Sequence, residues 1–267
     1  MHHVNWIESN GIWLRYAEDG AGDRTVVLVH EMGGSLDSWD EVVPFLSDRY
    51  RVLRYDMRGF GMSEKIFGEF TLDDAISDLT GFLDALNVSG PVALVGCAVG
   101  AGVTLRVAAQ RPDQVKALIA MAPATEIPAE RVERAQQFPA KLAEKGMRRM
   151  VYEDIAPANY PKELQTDPVR YQRFIAQQSS VDPDSFSATF MMLLGGSYQP
   201  YFKLISCPTL IVAGEHDKGR SPEIVEPVAK GIPGAKFKVV PSGHFMAVQT
   251  PEIVGQMISD FLTEAGF

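Results

Sequence analysis

The feature that most constrains the fold is a short strand, turn and helix pattern near the middle of the chain. The apolar run 92–95 is followed by the sequence Gly-Cys-Ala-Val-Gly at 96–100, and a helical pattern covers 101–111. An apolar run of this kind is typical of a strand buried on both faces, and flanking glycines relieve close backbone contacts in a sharp turn. The pattern therefore predicts a tight turn that presents residue 98, an alanine, at the carboxyl edge of a sheet.

Strand-like and helical patterns alternate along the rest of the chain. The Asn10-Gly11 pair predicts a hairpin turn between two opening strands. Predicted strands cover 4–8, 12–17, 25–30, 51–55, 92–95, 115–121, 209–213 and 236–240. Predicted helices cover 37–46, 72–86 with Thr71 as its cap, 101–111, 222–230 and 253–262. Strands that alternate with helices predict an α/β fold with a mostly parallel sheet covered on both faces.

One segment interrupts this alternation. Residues 125–201 contain no apolar strand pattern but carry helical patches over 128–146, 147–155, 168–179 and 184–194, separated by turns that often contain proline. We therefore predict two parts: a sheet domain formed by 1–124 and 202–267, and an inserted helical cap formed by 125–201. A cap over the strand ends closes a pocket and excludes water from it.

Composition excludes several classes of protein. The chain has 267 residues, 46% of them hydrophobic, and a net charge of −9, which is unfavourable for a nucleic-acid surface. No leader-like pattern opens the sequence and no apolar run approaches a membrane span, so we expect a cytoplasmic protein.

Cys97 and Cys207 lack the spacing of a metal site or disulfide framework. A homodimer through the cap or a sheet edge is compatible with these features.

Four further motifs follow predicted strands. They are His-Glu-Met-Gly-Gly-Ser at 30–35, Asp-Met-Arg-Gly-Phe-Gly-Met-Ser at 56–63, Gly-Glu-His-Asp at 214–217 and Gly-His-Phe at 243–245. With the turn at 96–100, in this order and spacing, the chain resembles the α/β-hydrolase fold superfamily over nearly its whole length. The resemblance is to the capped serine hydrolases, similar to enol-lactonase-like bacterial enzymes, and implies an eight-stranded, mostly parallel sheet. It also identifies the turn as a nucleophile elbow, with Ala98 at the nucleophile position.

The resemblance implies a catalytic triad completed by Asp217 and His244. His244 follows the last predicted strand, where the family places its general base, and Asp217 follows the preceding strand, where the family places the acid that orients it. Glu215 and Glu126 are competing positions for this acid. With a serine at position 98, His244 would take the hydroxyl proton during attack on a carbonyl, and water would later release the acid.

Two backbone amides, of Met32 and Val99, are expected to form the oxyanion hole. Glu31 departs from the family's His-Gly pattern in the loop that carries Met32, and we expect its carboxylate to turn away toward a donor. His30, Asp56 and Arg58 are interpreted as structural residues of the loops.

Cys97 is a second candidate nucleophile, because relatives with a cysteine elbow exist. It lies one position before the centre of the frame, where a tight turn directs its side chain elsewhere.

Four hypotheses for Ala98 remain open. The favoured one is a deliberate Ser→Ala replacement in a serine-type hydrolase, since every other part of the site is retained. Alternatively, alanine is natural and the His244/Asp217 pair acts without a covalent intermediate, as in a lyase or cofactor-free oxygenase of this fold. A non-catalytic receptor for a small ligand and an interaction protein with a vestigial site complete the set.

The expected substrate is a small ester, lactone or amide, with a carboxylate if an arginine of the cap points inward. The candidate arginines are Arg131, Arg134, Arg148, Arg149, Arg170 and Arg173. Candidate apolar lining residues are Trp39, Phe138, Met191, Met192, Phe245 and Met246. No metal or other cofactor is expected, because the five histidines lack ligand spacing and the glycines at 96–102 do not match a dinucleotide-binding motif.

Overall fold

An eight-stranded sheet runs through the part of the chain that the structure, a computed structural model, describes: residues 3–127 and 129–267. Its strand order is β1-β2-β4-β3-β5-β6-β7-β8, with β2 antiparallel to both of its neighbours and all other neighbours parallel. The strands are β1 His3–Ser9, β2 Ile12–Asp19, β3 Thr25–Val29, β4 Arg51–Tyr55, β5 Val92–Cys97, β6 Val115–Met121, β7 Thr209–Gly214 and β8 Lys236–Val240. Each predicted strand is present.

The opening hairpin turns at the predicted pair. Asn10 and Gly11 both have positive φ, 53° and 77°, and join strands paired from Ser9 and Ile12 outward. Two central residues with positive φ match the twist of antiparallel strands, which explains the preference for Asn-Gly at this position.

Helices cover both faces of the sheet. They are α1 Leu72–Ala85, α2 Val99–Gln110, α3 Ala129–Gln136, α4 Phe138–Met150, α5 Ala156–Asn159, α6 Pro168–Ser179, α7 Pro183–Gly195, α8 Gln199–Phe202, α9 Pro222–Gly231, α10 Met246–Gln249 and α11 Pro251–Glu264. Thr71 caps α1 as predicted, with its side chain accepting from the Asp74 N–H.

One predicted helix is wrong. Residues 37–46 form two short 3-10 turns, Leu36–Trp39 and Val43–Phe45, in place of a continuous helix. Ser35 closes a capping box on the first turn, and Pro44 has no N–H to continue a helical ladder from it.

Helices α3–α8, here called the helical insertion, lie between β6 and β7 in the chain. A π-helical stretch, Val151–Ile155, connects α4 to α5. The helical pattern predicted over 128–146 is divided between α3 and α4, and Pro128 itself lies outside the described residues.

Alternate side chains of the central strands enter two hydrophobic clusters. Val27 and Val29 belong to the cluster that contains α1 and α2, whereas Val26 and Leu28 belong to the cluster that contains α11. A period of two residues therefore buries both faces, as expected for parallel strands. This packing fixes the carboxyl ends of β3, β5, β7 and β8, from which the candidate site residues project.

Gly100 allows α2 to start close against β3. A Cβ atom at this position would lie 2.4 Å from the Val29 carbonyl oxygen. Gly100→Ala is therefore expected to lower the free energy of unfolding by about 2 kcal/mol or more, because two packed backbones must separate. Urea denaturation measures the effect. The matched control is Gly195→Ala, at the end of α7, where an added Cβ meets nothing within 4 Å. Equal stability of the two variants would contradict this account of the turn.

Candidate active site

Ala98 lies at the turn between β5 and α2 in a backbone conformation that alanine rarely adopts. Its φ is 50° and its ψ is −113°. The Ala98 N–H donates to the Met121 carbonyl at 2.9 Å, and its own carbonyl accepts from Gly102 and Ala124 at 3.1 and 2.9 Å. A non-glycine residue in such a region costs about 1–3 kcal/mol and persists only when its surroundings impose it. The elbow geometry is therefore retained although the side chain is a methyl group.

His244 and Asp217 meet beside this turn. The His244 Nδ1 atom lies 2.7 Å from Asp217 Oδ2, and the Asp217 side chain is fully buried. Asp217 Oδ1 accepts from the backbone N–H groups of Gly219 and Arg220, at 2.9 and 2.8 Å. Because the carboxylate orients Nδ1, the Nε2 atom of His244 is available to the cavity that the histidine lines.

The hydrogen bonds to Asp217 keep its carboxylate ionised. Burial alone would raise the pKa of Asp217, but the charge and hydrogen bond of His244 and the two backbone donors together hold it below its usual value of 3.8. An ionised Asp217 fixes the tautomer of His244 and stabilises the imidazolium form.

Two free backbone amides lie at the same cavity. Met32 and Val99 both line it, and neither of their N–H groups has a partner in the hydrogen bonds of residues 3–127 and 129–267. Val99 is the first residue of α2, where an amide has no partner within the helix.

Glu31 is directed away from this site, as expected. Its Oε1 atom accepts from the Ser38 hydroxyl at 2.8 Å, and the residue does not line the cavity.

Two adjacent glutamines of α6 hold the loop that carries Met32. Gln178 Nε2 donates to the Met32 carbonyl at 3.3 Å, and Gln177 Nε2 donates to Ser35 Oγ at 2.9 Å. An added Cβ at Gly33 would meet the Gln178 amide at 2.2 Å, so glycine allows this close approach. Sequence analysis did not find these contacts, since two glutamines on a helix carry no local signal.

The cavity between the sheet and the helical insertion has a volume of about 1030 Å³. Ala98, Val99 and His244 line it from the sheet side. Of the predicted apolar residues, Phe138 and Phe245 line it, whereas Trp39, Met191, Met192 and Met246 do not. Its other apolar lining residues include Ala124, Ile127, Met150, Phe186, Phe190 and Leu193.

The arginines of the insertion divide into two groups. Arg131 and Arg134 line the cavity, and the other four candidates do not. Arg170 instead binds Glu41 and Glu252, which lie outside the helical insertion, and Arg149 of α4 pairs with Glu153 of the π-helical stretch that follows. Arg220, which was not predicted from the sequence, follows Asp217 by three residues and lines the cavity from the β7 loop.

The competing candidates have other roles in the structure. Glu126 accepts from the backbone amides of Tyr198 and Gln199, at 2.8 and 2.9 Å, and Glu215 is exposed. The Cys97 thiol is fully buried and donates to the His244 carbonyl at 3.5 Å. Burial raises the pKa of Cys97 well above its usual value, so the group remains a neutral thiol that does not line the cavity.

The residues interpreted as structural are buried or paired. His30 accepts from the Met57 N–H at 2.9 Å through Nε2, and its Nδ1 lies 2.6 Å from the Glu31 carbonyl. Asp56 accepts from backbone amides of two loops, those of Leu36 and Met62. Arg58 pairs with Asp78 of α1.

None of the helices within the described ranges is long and apolar enough to span a bilayer.

Comparison with known proteins places these features in a family. A sequence profile described as the alpha/beta hydrolase fold matches residues 24–251. The chain is 27% identical to the 2-hydroxy-6-oxo-6-(2'-aminophenyl)hexa-2,4-dienoic acid hydrolase of Metapseudomonas resinovorans, over 97% of this chain and 90% of that enzyme.

Two solved structures share the fold over almost their whole length. An enol-lactonase from Burkholderia xenovorans superposes with a TM-score of 0.89 at 23% identity, covering 97% of this chain and 100% of that one. A thermophilic esterase from Thermogutta terrifontis, described with malate bound, superposes with a TM-score of 0.89 at 25% identity, covering 98% and 99%. These three relatives are named as a hydrolase, an enol-lactonase and an esterase. The chain belongs to the alpha/beta hydrolase fold family.

Proposed function

We propose that the cavity is the active site of a serine-type hydrolase of small esters, lactones or amides, with Ala98 standing where the attacking serine belongs. The observation that carries the proposal is the backbone of Ala98, which keeps a strained elbow conformation that a methyl group does not require. The ordered His244/Asp217 pair and the free amides of Met32 and Val99 support it.

In this proposal each group has one task. His244, held by Asp217, accepts the proton of the attacking hydroxyl and later activates water. The Met32 and Val99 amides donate to the oxygen that gains negative charge in the tetrahedral intermediate. The segment 125–201, which contains all of the helical insertion except the last residue of α8, acts as a cap that excludes water from the bound substrate.

The present chain is proposed to bind substrate without forming a covalent intermediate. Among the described residues that line the cavity there is no serine, threonine, cysteine or tyrosine. Lys141 lines it, but its ammonium group pairs with Asp154. A Ser→Ala replacement explains an intact site that lacks one oxygen.

A second candidate function rests on the same retained groups. Without the hydroxyl, His244 can act as a general base on water or on the substrate itself, as in a lyase or a cofactor-free oxygenase. Retention of an ordered His244/Asp217 pair beside alanine favours this alternative over a vestigial site. Its mark is turnover by the chain as it stands.

We further propose that the substrate carries a carboxylate. Four cationic side chains line the cavity, Arg131, Arg134, Lys141 and Arg220, against two acidic ones, Glu144 and Asp154. Two relatives agree with this proposal, since one is a hydrolase of a dienoic acid and one is an esterase with malate bound.

A crystal soak of the present chain with monomethyl adipate tests the proposal. The expected result is an intact ester, with its carbonyl oxygen within hydrogen-bond distance of the Met32 and Val99 amides. Cleaved ester in a soak, with product release confirmed in solution, would favour the non-covalent alternative. An ester carbonyl bound away from Ala98 and His244, in soaks with lactone and amide analogues as well, would overturn the proposed site.

A further inference from the structure

The cavity concentrates positive charge in an acidic protein. The chain carries a net charge of −9, yet cationic side chains outnumber acidic ones two to one on the cavity lining. Clustered charge of one sign around a cleft with apolar walls attracts ligands of the opposite sign. The position of each cation decides which of them can contact a bound ligand.

Arg220 differs from the other cavity cations in its position and partners. Its backbone N–H donates to Asp217, the residue that orients His244, and its Nη2 atom donates to the Thr125 carbonyl at 3.1 Å. The backbone of Arg220 is thus bonded to the β7 loop, and its guanidinium to the segment that follows β6. A group held in this way loses little further freedom when it binds a ligand.

The guanidinium of Arg220 has donors to spare. It forms no ion pair with a carboxylate in the described part of the chain, and the Thr125 carbonyl accepts from only one of its nitrogens. By comparison, four other buried or partly buried arginines each bind at least one carboxylate: Arg15, Arg54, Arg58 and Arg170. A half-buried guanidinium without an acidic partner is costly unless an anion binds to it.

Arg131 adds a second charge close to the first. Burial lowers the pKa of Arg220, and the like charge of Arg131 lowers it further, despite the opposing effects of Tyr198, Asp217 and Glu126. Two guanidinium groups that line one cavity and repel each other form a site that an anion would stabilise.

We infer that Arg220, assisted by Arg131, binds the anionic group of the substrate and sets the preference of the site for monoanionic over neutral esters. This inference rests on the proposed function and assigns a residue to its carboxylate. The planar guanidinium suits bidentate binding of a carboxylate, and the backbone bond from Arg220 to Asp217 keeps this residue beside the partner of His244.

The test uses ester pairs that differ only in charge. Monomethyl esters of succinate, glutarate, adipate and pimelate are compared with their dimethyl esters, by calorimetric binding to the present chain and by hydrolysis with the Ala98→Ser variant. The variants are then assayed with the ester pair for which the parent most strongly prefers the monomethyl over the dimethyl ester. The absence of any such preference in the parent across all four lengths would overturn the inference.

Arg220→Gln is expected to lower the preference for the monoanion by about ten-fold or more in both assays. Arg148→Gln is the matched control, because it removes the same charge from an exposed arginine that stacks on Tyr152 outside the cavity. It should leave the preference within about two-fold of the parent. An unchanged preference in folded Arg220→Gln contradicts the inference.

Arg220→Lys keeps the charge and loses the planar donor fork. It should lower the preference by about three-fold or more, and it decides the question if the glutamine variant does not fold. An unchanged preference in that variant would then overturn the inference. The calorimetric assay measures binding to the present chain and does not depend on hydrolysis. Failure of Ala98→Ser to hydrolyse any ester would count against the proposed function, while loss of monoanion binding in Arg220→Gln would still support the carboxylate site.

Discussion

Ala98→Ser is expected to raise kcat/KM for an activated p-nitrophenyl ester by at least about 10³-fold over the present chain. The substitution adds one oxygen to a backbone that already has the conformation of an elbow, with φ 50° and ψ −113°. No rearrangement of α2 or β5 is required, and the new hydroxyl would project toward the cavity that His244 lines. Steady-state release of p-nitrophenol measures the gain.

A second alanine provides a matched control for this gain. Ala124 also lines the cavity, so Ala124→Ser introduces the same hydroxyl into the same space but outside the elbow. We expect it to hydrolyse the ester no faster than the parent. Comparable gains in the two variants would show that any hydroxyl in the cavity suffices, and a broad ester, lactone and amide panel without a gain for Ala98→Ser would contradict the proposed function.

His244→Gln in the Ala98→Ser background is expected to lower kcat by about 10³- to 10⁴-fold. Glutamine can still hydrogen-bond to Asp217, but it cannot accept a proton from the attacking hydroxyl. Substrate binding should change much less than kcat, because His244 forms only part of a large lining. Burst-phase and steady-state kinetics separate the two effects.

The control for the histidine is His216→Gln. His216 lies in the same turn as Asp217 but does not line the cavity, and its backbone N–H binds the Ser242 carbonyl. Activity within about two-fold of the Ala98→Ser parent is expected. Loss of activity in both histidine variants would indicate a general disturbance of the β7 and β8 loops instead of removal of a base.

The sheet could be predicted from sequence because its signals are local. The strands could be predicted without reference to distant contacts, from segments of four to seven residues rich in apolar side chains and from the Asn10-Gly11 turn. The 37–46 segment failed because Ser35 and Pro44 favour short turns in a segment with an apolar pattern that also fits a helix.

The site could be predicted only in part, for a physical reason. Asp217, His244 and Ala98 lie just past strand ends, so the topology of a parallel sheet brings them to one edge. Contacts of the helical insertion depend on how helices pack over that edge. The sequence therefore offered six candidate arginines without distinguishing Arg131 and Arg134 from Arg170, and gave no signal for Gln178 or Arg220.

The structure also sharpens the question that Ala98 poses. If the surrounding structure did not impose this conformation, the backbone at Ala98 would relax and recover the strain energy of about 1–3 kcal/mol. Here the hydrogen bonds of Ala98 to Met121, Gly102 and Ala124 keep that conformation. Under the proposed function, the site differs from an active serine hydrolase by one side-chain atom.

The most direct test of the central claim is mass spectrometry of the protein after treatment with a fluorophosphonate, which reacts with an activated serine hydroxyl by displacement of fluoride. For Ala98→Ser, the account predicts one phosphonyl adduct per chain, located by peptide mapping at position 98 and strongly reduced in the His244→Gln background. The present chain should carry no adduct. An adduct at another residue, or an unmodified position 98 in a folded Ala98→Ser protein, would contradict the assignment of residue 98 as the nucleophile position.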